Sequence, residues 1–439
     1  MAATPNLQRT GEPQTTGLTR PASATHFGVS LLALLVGVGL VWLGAPWMYP
    51  AMNQWLGYSP LIPCAGIVLV IAAAEWLRPA WRNPLAEAPR GVVRPLSLAR
   101  VGTRLLGVAA TFALLALAYW LFPEYHGTFY TPYWQFLRSI APLAVAIPFY
   151  LVWMDTRSAS ERDEYFQMGA LLLGHGHLTD WPLLRRHLLG WTIKGFFLPL
   201  MTVYLGNEIR ALYQAIQPSG SATADPYQIF YHLSYAVDLL YCVVGYSSAL
   251  RWFDSHIRSV EPTVGGWVIA LMCYQPFYSV IGAYYLQYED ATFWDNWLQA
   301  WPNLRDAWAV AIIILASIYA LATVAFGLRF SNLTHRGIIT SGPYRFSKHP
   351  AYLSKNLSWW LISVPFISQA GWTEALRNCT LLALLNGVYY LRARTEEWHL
   401  SRDPTYVQYA LWMEQHGWLR PLARVLPFIR YHAAAERAT

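Results

Sequence analysis

The chain has 439 residues, of which 55% are hydrophobic and 13% charged, with a formal net charge of +7. A soluble domain of ordinary composition carries about 25% charged residues. This balance, with a mean hydropathy of +0.27, therefore excludes a soluble enzyme built on one large core and indicates a polytopic membrane protein. The positive charge sits in connecting segments and forms no basic-aromatic stripe, which excludes a nucleic-acid surface.

Residues 1–26 are rich in Thr, Pro, Gly and Ala and predict a disordered tail. They carry no early basic stretch, so the apolar run that follows reads as an anchor and not a signal peptide. Apolar stretches near the ~20 residues a bilayer needs follow at 27–47, 58–77, 104–122, 135–154, 191–211, 229–250, 265–287, 306–328, 357–371 and 375–391. The expectation is an all-α, polytopic bundle of about ten spans, the last two forming a short hairpin that is tilted or partly re-entrant. Within the long segment 155–190, Tyr165 to Leu173 predicts a short interfacial helix. Residues 393–413 predict an amphipathic cytoplasmic helix, interrupted near Asp403-Pro404, with Leu400, Tyr406, Tyr409 and Trp412 on its apolar face.

With ten spans, 26 of the 31 Lys and Arg fall in the tail and in segments 78–104, 155–190, 251–264, 329–355 and 392–439. The positive-inside rule then puts both termini and all these segments in the cytoplasm. Tryptophans at predicted span ends (Trp42, Trp47, Trp76, Trp120, Trp153, Trp191 and Trp308) suit an aromatic belt. Cys64, Cys242, Cys273 and Cys379 show no CxxC spacing, so neither a zinc site nor a disulfide framework is expected. Gly174-His175-Gly176-His177 lacks a nearby carboxylate or Cys and reads as a loop, so no metal is expected.

Two polar segments lie at the ends of apolar runs: SGPYRFSKHPAYLSKN, Ser341 to Asn356, and RARTEEWHL, Arg392 to Leu400. Ionisable groups are costly at a membrane face, and their presence there signals a use. Gly342, Tyr344, Lys348, His349, Pro350 and Tyr352 spell G-x-Y-x-x-x-[RK]-H-P-x-Y. A helical hairpin separates them from Arg392, Glu396 and Glu397 (R-x-x-x-E-E), and Tyr406 and Tyr409 follow. This order resembles the isoprenylcysteine carboxyl methyltransferase and phospholipid N-methyltransferase superfamily, over residues 306–425.

The resemblance implies S-adenosylmethionine (SAM) bound at the cytoplasmic face and a lipophilic or lipidated acceptor, a carboxylate, amine or thiol, entering from among the membrane lipids. It implies cofactor contacts from Gly342, Tyr344, His349, Pro350, Tyr352, Arg394, Glu396 and Glu397, and catalytic roles for Arg392 and Glu396. The chemistry agrees. Glu396 or Glu397 suits the cofactor's ammonium, and His349, Arg392 or Arg394 its carboxylate. Tyr344 and Tyr352 offer rings to the adenosine or to the sulfonium. Arg392 and Glu396 are four residues apart and Arg394 and Glu397 three, so each pair shares a helix face, a spacing that also suits plain interfacial ion pairs.

The match has departures. Ser354 stands where prenylcysteine enzymes commonly have Gly, and Lys348 stands where Arg is usual, a substantive change at a bidentate site. Both leave the acceptor open. An NAD(P)H-dependent sterol or steroid reductase is the second reading, although such enzymes more often carry Asn-Tyr and Gly-Asp where this chain has Ala351-Tyr352 and Ser354-Lys355. A non-catalytic lipid-binding or transport protein is the third.

Two further polar residues suit an acceptor site. Asp238 lies mid-span, where a carboxylate serves a pocket, a proton path or a partner on another span. Arg258 lies in RWFDSHIRSVEPTVGGW, which reads either as a lid over the acceptor mouth or as a solvated loop with a helix start at Glu-Pro-Thr. The expected organisation is a tail at 1–26, an N-terminal transmembrane bundle at 27–300 and a methyltransferase-like membrane module at 301–439.

Overall fold

The computed structural model describes residues 18–48, 61–77, 94–158, 160–217, 223–289 and 292–431. Helix accounts for 75% of the structure. The helices are α1 (Phe27–Met48), α2 (Leu61–Leu77), α3 (Leu98–Leu121), α4 (Thr131–Ile140), α5 (Ile147–Arg157), α6 (Glu164–Leu172), α7 (Trp181–Ile216), α8 (Pro226–Ser247), α9 (Val264–Leu271), α10 (Pro302–Val324), α11 (Pro350–Ser363), α12 (Trp372–Leu400), α13 (Pro404–His416) and α14 (Arg420–Val425). A two-residue antiparallel ladder joins β1 (Ser259–Val260) to β2 (Thr334–His335). Side-chain caps set several starts: Ser97, Asp163, Asp180, Asp225, Thr263 and Asp403 each accept from a first-turn amide, satisfying a donor the helix itself leaves unpaired.

Among the described residues, five helical segments are long and apolar enough to cross a membrane: 98–121, 128–157, 181–216, 226–247 and 302–324. The helices at 27–40 and 61–77 are apolar but shorter. Trp76 and Trp120 are exposed at the ends of α2 and α3, as a belt requires. The connector 78–93 and residues 1–17 lie outside the described residues.

Three expectations are corrected. The stretch 265–287 is not one helix: α9 stops at Leu271, and only short helical turns follow from Phe277. Pro276, which can neither donate nor fit a helix interior, falls in the break. The hairpin at 357–391 is unequal. α11 has 14 residues and ends where Val364 turns left-handed (φ 45°), whereas α12 runs unbroken for 29 residues. Arg392 to Glu397 therefore lie on the C-terminal turns of the last long helix, and the separate tail helix starts at Pro404. Tail residues 18–26 are packed and not free. Ala24 N donates to Ile338 O at 2.8 Å, Thr340 N donates to Ser23 Oγ at 3.1 Å, and Arg20 lies over the Trp412 ring. The expected helix at 165–173 is present as α6. It approaches α3 so closely that a Cβ on Gly107 would lie 1.9 Å from the Tyr165 carbonyl oxygen.

The core lies where α7 and α8 pack together, with Ile193, Phe197, Leu200, Tyr241, Val243 and Val244 buried. α8 also packs on α10, and α10 on α11, which carries the C-terminal segments onto the bundle. At this joint Arg336 is buried and donates to four carbonyls: Ser255 at 2.5 Å, Gly245 and Leu328 at 2.8 Å, and Phe330 at 2.7 Å. A Lys has no planar fork to span them, and each buried acceptor left without a donor costs about 1–3 kcal/mol. Arg336→Lys is expected to destabilise the protein by about 2–5 kcal/mol. The thermal midpoint in detergent, compared between the variant and the parent, measures this.

Candidate active site

The two polar segments of the sequence meet across the α11–α12 hairpin. Pro350 opens α11 as its first residue, with His349 at the cap position, so His349 and Tyr352 project from its first turn. They face the last turns of α12. His349 Nε2 lies 3.1 Å from Glu397 Oε1, and the Tyr352 hydroxyl donates to Glu396 Oε2 at 2.8 Å. The His349 and Tyr352 rings stack at 5.6 Å.

Consecutive helical residues point about 100° apart, so Glu396 and Glu397 serve different spaces. α12 divides two cavities. The first, about 100 Å³, is lined by Arg392, Glu396 and His399 of α12 with Tyr274, Asn332, Tyr344 and Lys355. The second, about 340 Å³, is lined by Arg394 and Glu397 with Lys348, Glu414, Asn356 and Trp360. His349, Tyr352 and Tyr389 line both and form the wall between them.

Around the second cavity Glu397 is 3% exposed and gathers a lysine, an arginine and a histidine. Lys348 Nζ lies 3.1 Å away, His349 Nε2 3.1 Å and Arg394 Nη1 2.5 Å. Lys348 also pairs with Glu414 at 2.9 Å, and Tyr431 N donates to the same Glu414 oxygen. Burial alone would raise the Glu397 carboxyl. The His349 hydrogen bond and the charges of His349, Lys348 and Arg394 override it and hold the group at about 2. Deeper in, a polar ladder runs along the hairpin: Trp360 Nε1 donates to Asn386 Oδ1 at 2.7 Å, and Asn386 Nδ2 to Asn356 Oδ1 at 2.6 Å.

The first cavity is organised around Arg392. Its guanidinium donates to Asn332 Oδ1 at 2.5 Å and to the Tyr274 hydroxyl at 3.1 Å, and it faces the rings of Tyr274 and Tyr352 at 5.1 Å each. Lys355 Nζ lies over the rings of Tyr319, Trp359 and Tyr389. Among the described residues neither cation has a carboxylate within ion-pairing distance. Glu261, ordered by Thr263 N at 2.9 Å and by the Thr263 hydroxyl, lines the same cavity. His399 does too, with Nε2 2.9 Å from Ser259 Oγ, and burial and then the nearby His335 and Arg402 charges lower it to about 4.

Of the residues singled out in the sequence, Tyr344, His349, Tyr352, Arg392, Arg394, Glu396 and Glu397 all line one or other cavity. The Arg394–Glu397 face forms an ion pair. The Arg392–Glu396 face does not: Tyr352 stands between them, facing the first and bonding the second. Gly342 and Pro350 line neither cavity. Gly342 has φ +62°, and a Cβ there would lie 2.7 Å from the Phe27 ring, so it admits the start of α1. Asp238 bonds the Thr323 hydroxyl behind the first cavity, and Arg258 pairs with Asp254 at 3.4 Å. Both lie outside the lining. Asn332, Tyr274, Glu414, Asn356 and Asn386 carry no motif, and only the fold brings them in.

The Glu397 carboxyl is held below its ordinary 4.5, so its contribution is complete above that value and is lost as pH falls toward about 2. Glu397→Gln leaves Glu414 as the one carboxylate facing Lys348, His349 and Arg394 and should cost about 3–5 kcal/mol at neutral pH. Thermal midpoints measured from pH 7 down to pH 3 should decline less steeply for this variant than for the parent.

The model of the isoprenylcysteine carboxyl methyltransferase (ICMT) family matches residues 307–402, a stretch that contains α11, α12 and the wall between the cavities. No curated protein and no solved structure matches the chain. The match and the apolar helices together support a membrane methyltransferase.

Proposed function

We propose that the protein is a SAM-dependent methyltransferase that esterifies a lipophilic carboxylate at the cytoplasmic membrane face. The observation that carries this reading is the pair of cavities sharing the His349–Tyr352–Tyr389 wall, each lined by cations and carboxylates: Arg392 and Lys355 with Glu261 and Glu396 on one side, Lys348 and Arg394 with Glu397 and Glu414 on the other.

The second cavity fits the cofactor. Its volume of about 340 Å³ lies within the range of small-molecule pockets, roughly 300–1,000 Å³. Lys348 and Arg394 suit an α-carboxylate, Glu414 suits an α-ammonium, and Asn356 and Asn386 offer donors and acceptors to a nucleoside. The aromatic wall suits a sulfonium, which a ring face attracts. When bound, the cofactor supplies an electrophilic methyl on positive sulfur.

The first cavity fits the acceptor's head. Arg392 and Lys355, neither of them in a close ion pair among the described residues, hold and orient an anionic oxygen. The acceptors that fix Arg392, Asn332 Oδ1 and the Tyr274 hydroxyl, are neutral and leave its charge for the methyl acceptor. A carboxylate oxygen is already a nucleophile, so no base is needed. A carboxylate that received the methyl would lose its charge. Arg392 and Lys355 then hold a neutral ester less tightly, which favours release. Glu396 fixes the Tyr352 ring through the hydroxyl bond, and the buried wall keeps water from the transfer. On this reading Arg392 is the catalytic residue and Glu396 a positioning residue.

Titration calorimetry of the detergent-purified protein should detect S-adenosylhomocysteine and no NADPH. NADPH binding alone would instead mark the reductase reading, and binding of neither a lipid-binding or transport role. Lys348→Ala should weaken S-adenosylhomocysteine at least tenfold. Arg392→Ala should leave that affinity within twofold yet cut transfer of labelled methyl to base-labile lipid extracts at least a hundredfold. Equal losses of binding in both variants would show that the two cavities do not divide cofactor from acceptor.

A further inference from the structure

A third cavity, of about 60 Å³, lies in the N-terminal bundle, between α6, α7 and the loop after α8. It shares no lining residue with the two cavities of the site. Its titratable lining is Glu164 from α6, Arg186, His187 and Lys194 from α7, and Arg251 and His256 from the loop, beside Tyr150 and Tyr165. Glu164 is saturated: Arg186 Nη2 donates to it at 2.8 Å, and Arg251 Nη2 lies 2.8 Å from each of its oxygens. Burial favours a raised Glu164 carboxyl, and Arg251 with Arg186 overrides it and holds the group at about 2. One carboxylate thus faces two arginines and a lysine.

The remaining polar atoms are donors in search of acceptors. Lys194 Nζ sits 4.3 Å over the Trp191 ring and has no carboxylate in ion-pairing range among the described residues. Arg186 Nε is buried and makes no hydrogen bond. His187 is spent on Thr111, its Nε2 lying 2.9 Å from Oγ1, and the Tyr150 hydroxyl accepts from Arg251 N at 3.1 Å. A water occupies roughly 10–15 Å³ of such a volume, so the space holds about four to six heavy atoms. That is the size of a tetrahedral oxyanion, and an oxyanion supplies acceptors only.

The surroundings point to a membrane source. α7 has 36 residues and so runs roughly 54 Å, well beyond the ~30 Å hydrocarbon core. Lys194 lies near the polar N-terminal end of its apolar stretch. Trp252, 62% exposed, stacks on Trp153 at 6.0 Å beside the pocket. Indoles mark the headgroup level, and basic pockets between spans at that level take anionic headgroups.

We infer that the Arg186–Lys194–Arg251 pocket is a binding site for a phosphate group, supplied by the headgroup of an anionic membrane lipid. It is separate from methyl transfer and does not rest on that assignment.

The test uses the full-length protein in a neutral detergent, titrated with short-chain phosphatidic acid, short-chain phosphatidylcholine and inorganic phosphate. Binding is read by native mass spectrometry and by the shift in thermal midpoint. Phosphatidic acid should bind at least tenfold tighter than phosphatidylcholine, Lys194→Met should lose that preference, and Lys194→Arg should keep it. Inorganic phosphate binding as tightly as phosphatidic acid, and equally dependent on Lys194, would keep the anion site and overturn the lipid source. Phosphatidic acid binding that is the same in Lys194→Met and the parent, with both variants eluting as the parent does in size exclusion, would overturn the site itself. If Lys194→Met elutes as aggregate, Lys194→Arg and the parent carry the test: no preference for phosphatidic acid over phosphatidylcholine in either one overturns the proposal.

Discussion

A buried guanidinium holds the candidate site together. Arg336 meets four main-chain carbonyls drawn from the end of α8, the loop after it and the segment before β2. Carbonyls at helix ends and in irregular loops are unpaired acceptors that become costly once buried. One planar fork with five donors answers four of them at once. The segment so fixed carries Asn332, whose side chain also meets the Tyr246 and Tyr274 hydroxyls. Asn332 in turn accepts from Arg392. Arg392 is therefore positioned by a chain of contacts that begins in the loop around Arg336.

The helix α12 converts a short sequence motif into two environments. A pair of adjacent glutamates reads in sequence as one acidic feature. On a helix the two side chains diverge, and here Glu397 faces Lys348, His349 and Arg394 while Glu396, among the described residues, bonds the Tyr352 hydroxyl. The difference is electrostatic as well as geometric. Lys348 and Arg394, with His349, make Glu397 the fixed centre of the second cavity, whereas Glu396 shares the first cavity with Glu261, Arg392 and Lys355 and bonds a neutral hydroxyl.

What was legible in the sequence follows the range of the forces involved. The apolar stretches are a local property, and most coincide with helices. So does the motif order, because His349, Tyr352 and the α12 charges lie on helix turns whose faces follow from spacing. The break after Leu271 and the unequal hairpin were not legible, because hydropathy averages over Pro276 and the left-handed Val364. Gly342 was misplaced for a related reason. A glycine beside a motif suggests close approach to a ligand, but what approaches is the Phe27 ring, more than three hundred residues away in sequence. Asn332, Tyr274 and Glu414 were beyond reach, since single polar residues acquire a role only through long-range packing.

That last group bears on why the chain has so much helix before its motif. Glu261 and Tyr274 line the first cavity from the loop and broken helix ahead of position 300, and β1 pairs with β2 across the same boundary. Tyr274 itself is edge-packed on Phe197 of the α7 core. An Arg392 guanidinium left without Tyr274 and Asn332 would be buried against rings alone, which attract a cation by about 2 kcal/mol when desolvated. The idealised cost of burying an ion is several times larger. The segment ahead of position 300 thus supplies one of the two neutral oxygen acceptors, Tyr274, and Asn332 before β2 the other, and together they let a cation persist in a buried cavity. Replacing them with a carboxylate would satisfy Arg392 equally well and would cancel the charge that the acceptor needs.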